Sequence, residues 1–138
     1  MAVSFLPEPR RVIMSSPHRH RLPNRRPSYT ETLEVAGQVV TATIGFDPAD
    51  DQPRELFLTA GKEGSTLSAL LSDAAVVISV ALQHGIPAQS LAKSIGRLPE
   101  GPVTPADLDQ GKPARLPASP IGAALDLLRS FEDAPESR

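Results

Sequence analysis

The sequence predicts an α+β fold, a small antiparallel three-stranded meander covered on one face by two or three helices and preceded by a disordered basic arm. Three observations carry this reading. Apolar and polar residues alternate between Tyr29 and Ala60, with breaks at turn-forming residues. From Leu67 onward the apolar residues recur at three- and four-residue spacing instead. Proline and arginine crowd the first 28 residues, and six prolines fall between Pro99 and Pro120, in stretches with no hydrophobic period.

Residues 1–28 form the arm. They carry six arginines (Arg10, Arg11, Arg19, Arg21, Arg25, Arg26) and one acid, Glu8, although the whole chain has a net charge of −2. Such a segment buries too little apolar surface to order itself. It is a solvated tail, or it neutralises phosphates of nucleic acid or another polyanion through Arg19, Arg21, Arg25 and Arg26. No aromatic residue is interleaved among these arginines for base stacking.

Residues 29–98 form the folded body. In "YTETLEV" Tyr29, Leu33 and Val35 share one side, and Ala36-Gly37 is a tight turn with Gly37 at positive φ. "QVVTATIGF" places Val40, Ala42, Ile44 and Phe46 on one face and Val39, Thr41 and Thr43 on the other. The acidic "DPADDQP" is expected to be a surface loop with Asp47, Asp50 and Asp51 solvated, since it lacks the alternation, central Gly and closing Glu of a calcium loop. "RELFLTA" is the third strand, with Leu56 and Leu58 inward. A long helix follows, and Leu67, Leu70, Leu71, Ala74, Val77, Ile78, Ala81 and Leu82 are expected to form its broad buried stripe. Gly85 stops it, and Pro87 opens a second helix carrying Leu91 and Ile95. Residues 99–118 are an extended Pro-rich connector. Residues 119–131 are a third helix, with Ser119-Pro120 as its cap and first residue and Ile121, Ala124, Leu125 and Leu128 inward.

Composition excludes several chemistries. With no Cys in 138 residues there is no disulfide, thiolate metal site or thiol redox centre. The longest apolar run, Ala74 to Leu82, is too short to cross a bilayer, and "MAVSFLPEP" has no basic lead-in or long apolar stretch, so a cytoplasmic protein without a membrane partner is expected. "GKEGST" (Gly61–Thr66) is not a Walker loop, because Lys62 precedes the second Gly and Glu63 sits where a phosphate would lie. A weaker anion- or nucleotide-binding site remains at Lys62, Gly64, Ser65 and Thr66, where a helix begins with unsatisfied N–H groups. The plainer reading of the same residues is a turn at Gly64 and a cap at Ser65. His84 is read as a helix C-terminal histidine, and His18 and His20 lack a carboxylate or Cys partner at metal-ligand spacing, so no metal is expected. No hydrolase triad and no catalytic residue is assigned.

"RLPNRR" (Arg21–Arg26), the strand pair around Val35-Ala36-Gly37, "RELFL" (Arg54–Leu58), "GKEGSTLSALL" (Gly61–Leu71) and "ISVALQHGIP" (Ile78–Pro87) occur in one order. Together they resemble the TSCPD domain, which forms the C-terminal part of many adenosylcobalamin-dependent (class II) ribonucleotide reductases and also occurs as a small free-standing protein. "ASPIGAALDLLRSF" (Ala118–Phe131) resembles the helix that follows this body in the reductases. The resemblance implies ribonucleotide reduction by a cysteine radical, with adenosylcobalamin as the cofactor of the full-length enzymes. This chain carries neither the catalytic barrel nor any thiol, so no cofactor is expected in it and no reductase activity on its own. The expectation is a non-catalytic accessory or regulatory domain in deoxyribonucleotide metabolism, binding a nucleotide or a reductase catalytic chain. The alternatives are a nucleic-acid-binding or scaffold module using the arginine arm, and a reductase component assembled with a cysteine-bearing chain. A homodimer is a further way for so small a body to cover apolar surface.

Overall fold

A computed structural model describes residues 17–60, 64–99 and 115–132. Strands β1 (Ser28–Val35), β2 (Gln38–Phe46) and β3 (Pro53–Ala60) form an antiparallel sheet in the order β1-β2-β3, the predicted meander. Its register puts Ile44 between Tyr29 and Leu56, and Ala42 between Glu31 and Leu58, so the apolar residues of the three strands share one face, with Glu31 among them at β1 and accepting from the Tyr29 hydroxyl at 2.7 Å. Val40, Ala42, Ile44, Leu56 and Leu58 are fully buried there. The β1–β2 turn has both central residues at positive φ, Ala36 at 54° and Gly37 at 77°. That is the mirror-image turn whose twist suits a two-residue hairpin, and it holds an alanine where only the glycine was expected to be left-handed.

Helix α1 (Thr66–Gln83) packs along β3, helix α2 (Ala88–Ala92) follows, and helix α3 (Pro120–Glu132) crosses α2 and reaches all three strands. Leu71, Ile78 and Leu82 from α1 and Leu125 and Leu128 from α3 close the core. Phe131 meets Tyr29 and Phe46 edge-on, with ring centroids 5.3 and 5.1 Å apart, and so fixes the end of α3 over β1 and β2. The end of α1 is set as the sequence suggests. Gly85 N–H donates to Leu82 C=O and Ile86 N–H to Ala81 C=O, each at 3.0 Å, with Gly85 at φ 91°.

Three features depart from expectation. The buried stripe of α1 is narrower and rotated. Leu70 and Val77 are 60% and 68% exposed, while Ala75, Ser79 and Gln83 are buried. The physical reason is the width of the sheet: α1 lies over an edge strand, so only the side turned toward β3 finds cover. Pro87 caps α2 from outside, and α2 ends before Ile95. The first two N–H groups of α2, at Ala88 and Gln89, are met by the carboxylate of Glu132, at 2.6 and 3.2 Å. Both ends of the Pro-rich connector pair with each other: β4 (Arg97–Pro99) and β5 (Arg115–Pro117) make a two-stranded antiparallel ribbon. The rest of the connector, 100–114, lies outside the described residues. Ser119 caps α3 as expected, accepting from Gly122 N–H at 3.1 Å. Gly122 is required for close approach, since a Cβ there would stand 3.1 Å from Pro117 and 3.2 Å from Ile95.

Candidate functional site

The C-terminal end of α1 gathers most of the polar side chains that act over long sequence distances. Residues 17–27 of the arm are seated on it. His20 N–H donates to Gln83 C=O at 2.8 Å, and Arg19 Nε donates to Gln83 Oε1 at 2.5 Å. Gln83 Nε2 in turn donates to Arg54 C=O at 3.0 Å. Further along, Arg26 forks onto Glu55, Nε to Oε1 at 2.8 Å and Nη2 to Oε2 at 3.0 Å, and its Nη1 donates to Pro23 C=O at 2.7 Å. This fork lies against Gly45 of β2, where a Cβ would come 2.6 Å from Glu55 Oε1. Of the four arginines proposed from sequence to hold a polyanion, Arg19 and Arg26 therefore fasten the arm, and Arg21 and Arg25 are exposed. The arm escaped notice as structure because polar and backbone bonds fix it, and these leave no hydrophobic period.

Beside it, His18, His20, Asp47, Asp50, Arg54 and His84 line a cleft of about 540 Å³, which brings all three histidines of the chain together. His20 and Asp47 correct the sequence reading. His20 Nε2 lies 2.8 Å from Asp47 Oδ2, so it does have a carboxylate partner. Asp47 is 4% exposed rather than solvated. Its Oδ1 accepts from Ala49 N–H at 2.9 Å, closing the loop on itself. That backbone bond, with His20 and the nearby Arg54 guanidinium adding to it against the cost of burial, holds the Asp47 carboxyl below its ordinary value of 3.8. Arg54 ties the loop to the helix, donating to Asp50 Oδ2 at 3.0 Å and to Leu82 C=O at 3.1 Å, where a cation complements the helix dipole. The cleft can hold a charged group and a proton. No Ser, Thr or Lys is among its lining residues, and among the described residues no cluster of His, Cys, Asp or Glu is arranged to hold a metal.

Two further concavities meet this end. A groove of about 260 Å³ runs between α1 and the free side of β3, and a polar bowl of about 280 Å³ is lined by Arg19, Arg21, Asn24, Arg26 and Glu55. Arg19, Glu55 and Gln83 border both.

At the other end of α1, Lys62 lies outside the described residues. Gly64 makes the turn at φ 80°, Ser65 Oγ accepts from Ser68 N–H at 3.1 Å, and Thr66 opens the helix, exposed. Capping is what this geometry displays.

Among the described residues, three of the exposed large apolar side chains lie on the outer face of α1. Asp73 is the one charged residue of the helix, and Leu70, Val76 and Val77 stand exposed. By length and composition α1 could cross a membrane, yet a third of it is already buried in the fold and Ser79 and Gln83 are bonded to β3. It is a core helix with a bare back.

A family model for the TSCPD domain matches residues 14–126. The chain belongs to the TSCPD domain family. The matched span takes in the seated part of the arm, the sheet, α1, α2 and the first half of α3. Curated relatives are vitamin B12-dependent ribonucleotide reductases. That of Rhodopirellula baltica is 37% identical over 75 residues, covering 54% of this chain and 7% of the relative. Those of Streptantibioticus cattleyicolor and Streptomyces clavuligerus are 36% identical over 83 residues and 38% over 80, covering 60% and 58% of this chain. This TSCPD chain spans only 14% and 8% of those two relatives. No solved structure matches it significantly.

Proposed function

We propose that this TSCPD chain is a non-catalytic accessory or regulatory domain of deoxyribonucleotide metabolism that docks on a ribonucleotide reductase catalytic chain through the outer face of α1. The observation that carries the reading is an 18-residue helix with one charge, whose Leu70 and Val77 stand exposed, in a domain whose curated relatives hold a similar segment within far longer reductases. Exposed apolar area of this kind marks a surface made for another protein. The 138 residues contain no thiol, so radical chemistry through cysteine must reside on the partner. A nucleotide phosphate bound to the domain would meet the turn at Lys62, Gly64, Ser65 and Thr66.

Titration of the purified chain against a vitamin B12-dependent reductase catalytic chain tests this. Saturable binding is expected, weakened about tenfold or more by the double change Leu70→Glu and Val77→Glu, since introducing two charges into a buried apolar patch leaves both unpaired. Both side chains point away from the core, so the variant should keep its helical circular dichroism. Unaltered binding by a folded variant, or no binding by the parent chain, overturns the reading.

A further inference from the structure

Ser79 and Gln83 close part of the open edge of β3. Ser79 Oγ accepts from Leu56 N–H at 2.8 Å and donates to Leu56 C=O at 3.1 Å, while Gln83 Nε2 donates to Arg54 C=O at 3.0 Å. Arg54 and Leu56 therefore turn these backbone groups away from β2. That orientation repeats every second residue along an antiparallel strand, so Leu58 and Ala60 turn theirs the same way. The helix does not continue the closure. Gln83 serves Arg54, Ser79 one turn earlier serves Leu56, and one turn earlier again stand Ala75 and Val76, whose side chains offer no polar group. Among the described residues no side chain of α1 bonds the rung at Leu58.

At this rung lies the groove of about 260 Å³, walled by Ser72, Ala75 and Val76 from the helix and bordered by Phe57 from the strand. Val76 is 59% and Phe57 52% exposed, on opposite sides of the edge. Toward Arg54 the groove runs onto Arg19 and Glu55, and so into the arginine bowl. Arg26 is neutralised by Glu55 there, which leaves Arg19 and Arg21 as the net positive charge.

The geometry points to a docking site for an extended acidic peptide of a partner protein, added as a strand beside β3 at Leu58 and Ala60. Main-chain bonds to an edge strand supply affinity in this mode, and alternate side chains supply specificity. Here one set of peptide side chains meets Ala75 and Val76 and the other meets Phe57, while a carboxylate at the Arg54 end meets Arg19 and Arg21. A second copy fits less well. Antiparallel pairing of two β3 strands about Leu58 sets Ala60 of one against Leu56 of the other, whose groups Ser79 already holds. This site shares Val76 with the exposed back of α1 but not Leu70 or Val77, and does not require the partner to be a reductase.

The test is amide exchange and chemical shift of ¹⁵N-labelled full chain, titrated with an N-acetylated, C-amidated pentapeptide alternating valine and glutamate. A matched peptide with lysine for glutamate serves as the control. In the free, dilute protein the Leu58 amide should exchange fast, and the glutamate peptide should slow it about tenfold or more. The lysine peptide should bind about tenfold more weakly, and Arg21→Glu, at an exposed position, should abolish that preference because it cancels the remaining charge of Arg19. Equal binding of the two peptides, or shifts that avoid Leu58 and Val76, overturns the proposal. So does a Leu58 amide already protected without peptide: concentration-dependent protection means a second copy occupies the groove, and concentration-independent protection means the chain fills it itself.

Discussion

The two ends of α1 solve the same problem in opposite ways. At the N-terminus the unsatisfied N–H groups are served locally, by Ser65 three residues from Ser68. At the C-terminus the local bonds from Gly85 and Ile86 are supplemented by side chains from afar. Arg54 reaches Leu82 C=O across 28 positions and Arg19 reaches Gln83 across 64. The N-terminal end carries the more motif-like sequence, and the C-terminal end carries the convergence of charged groups. A motif advertises what neighbours in sequence can do together, whereas a cleft needs the fold to bring its members in.

That contrast can be broken at its strong end first. Gln83→Ala removes the partner of Arg19 Nε and of Arg54 C=O, both partly buried, and is expected to cost about 2–3 kcal/mol by leaving them unpaired. Urea unfolding at constant m-value measures it. A loss below that of a simple cap removal would mean the seated arm contributes little.

Asp47→Asn tests the cleft beside it, with an expected loss of about 1–2 kcal/mol near neutral pH because the charged bonds to Ala49 and His20 weaken. The folded state holds the Asp47 carboxyl below its ordinary value of 3.8, so its stabilisation is fully present above that value and is lost as pH falls through the depressed one. Parent and variant stabilities should therefore converge once pH has fallen through that depressed value. Parallel curves down to that pH would assign the acid loss to other groups.

Ser65→Ala gives the smallest effect, about 1 kcal/mol, as expected for one side-chain cap on an otherwise well-packed helix. Thermal or urea unfolding reads it directly. If it exceeds the cost of Gln83→Ala, the ranking of the two ends is reversed.

The legible part of the molecule is the part governed by short periods. Alternation in "QVVTATIGF" placed Val40, Ala42 and Ile44 in the core, and Ser119-Pro120 marked the start of α3 correctly. The three- and four-residue spacing located α1, but it could not say which apolar residues would find a neighbour. Leu70 and Val77 belong to the same spacing as Leu71 and Ile78 and yet remain exposed. The β4–β5 ribbon was illegible because three-residue strands rich in proline carry no alternation to detect. His20 and Asp47 were dismissed one at a time, since nothing in a linear reading couples residues 27 positions apart in an arm and a loop.

By itself the sequence determined the α+β class, the meander, the long helix, the lack of thiol chemistry and the resemblance to the TSCPD domain, because each depends on residue type and local spacing. Only the tertiary structure decided which face of α1 is bare, that residues 17–27 are fastened to the body, and that the three histidines share one cleft with Asp47. It also decided that the side-chain bonds from α1 reach β3 at Arg54 and Leu56. All of these depend on contacts between residues far apart in the chain, which local spacing does not encode.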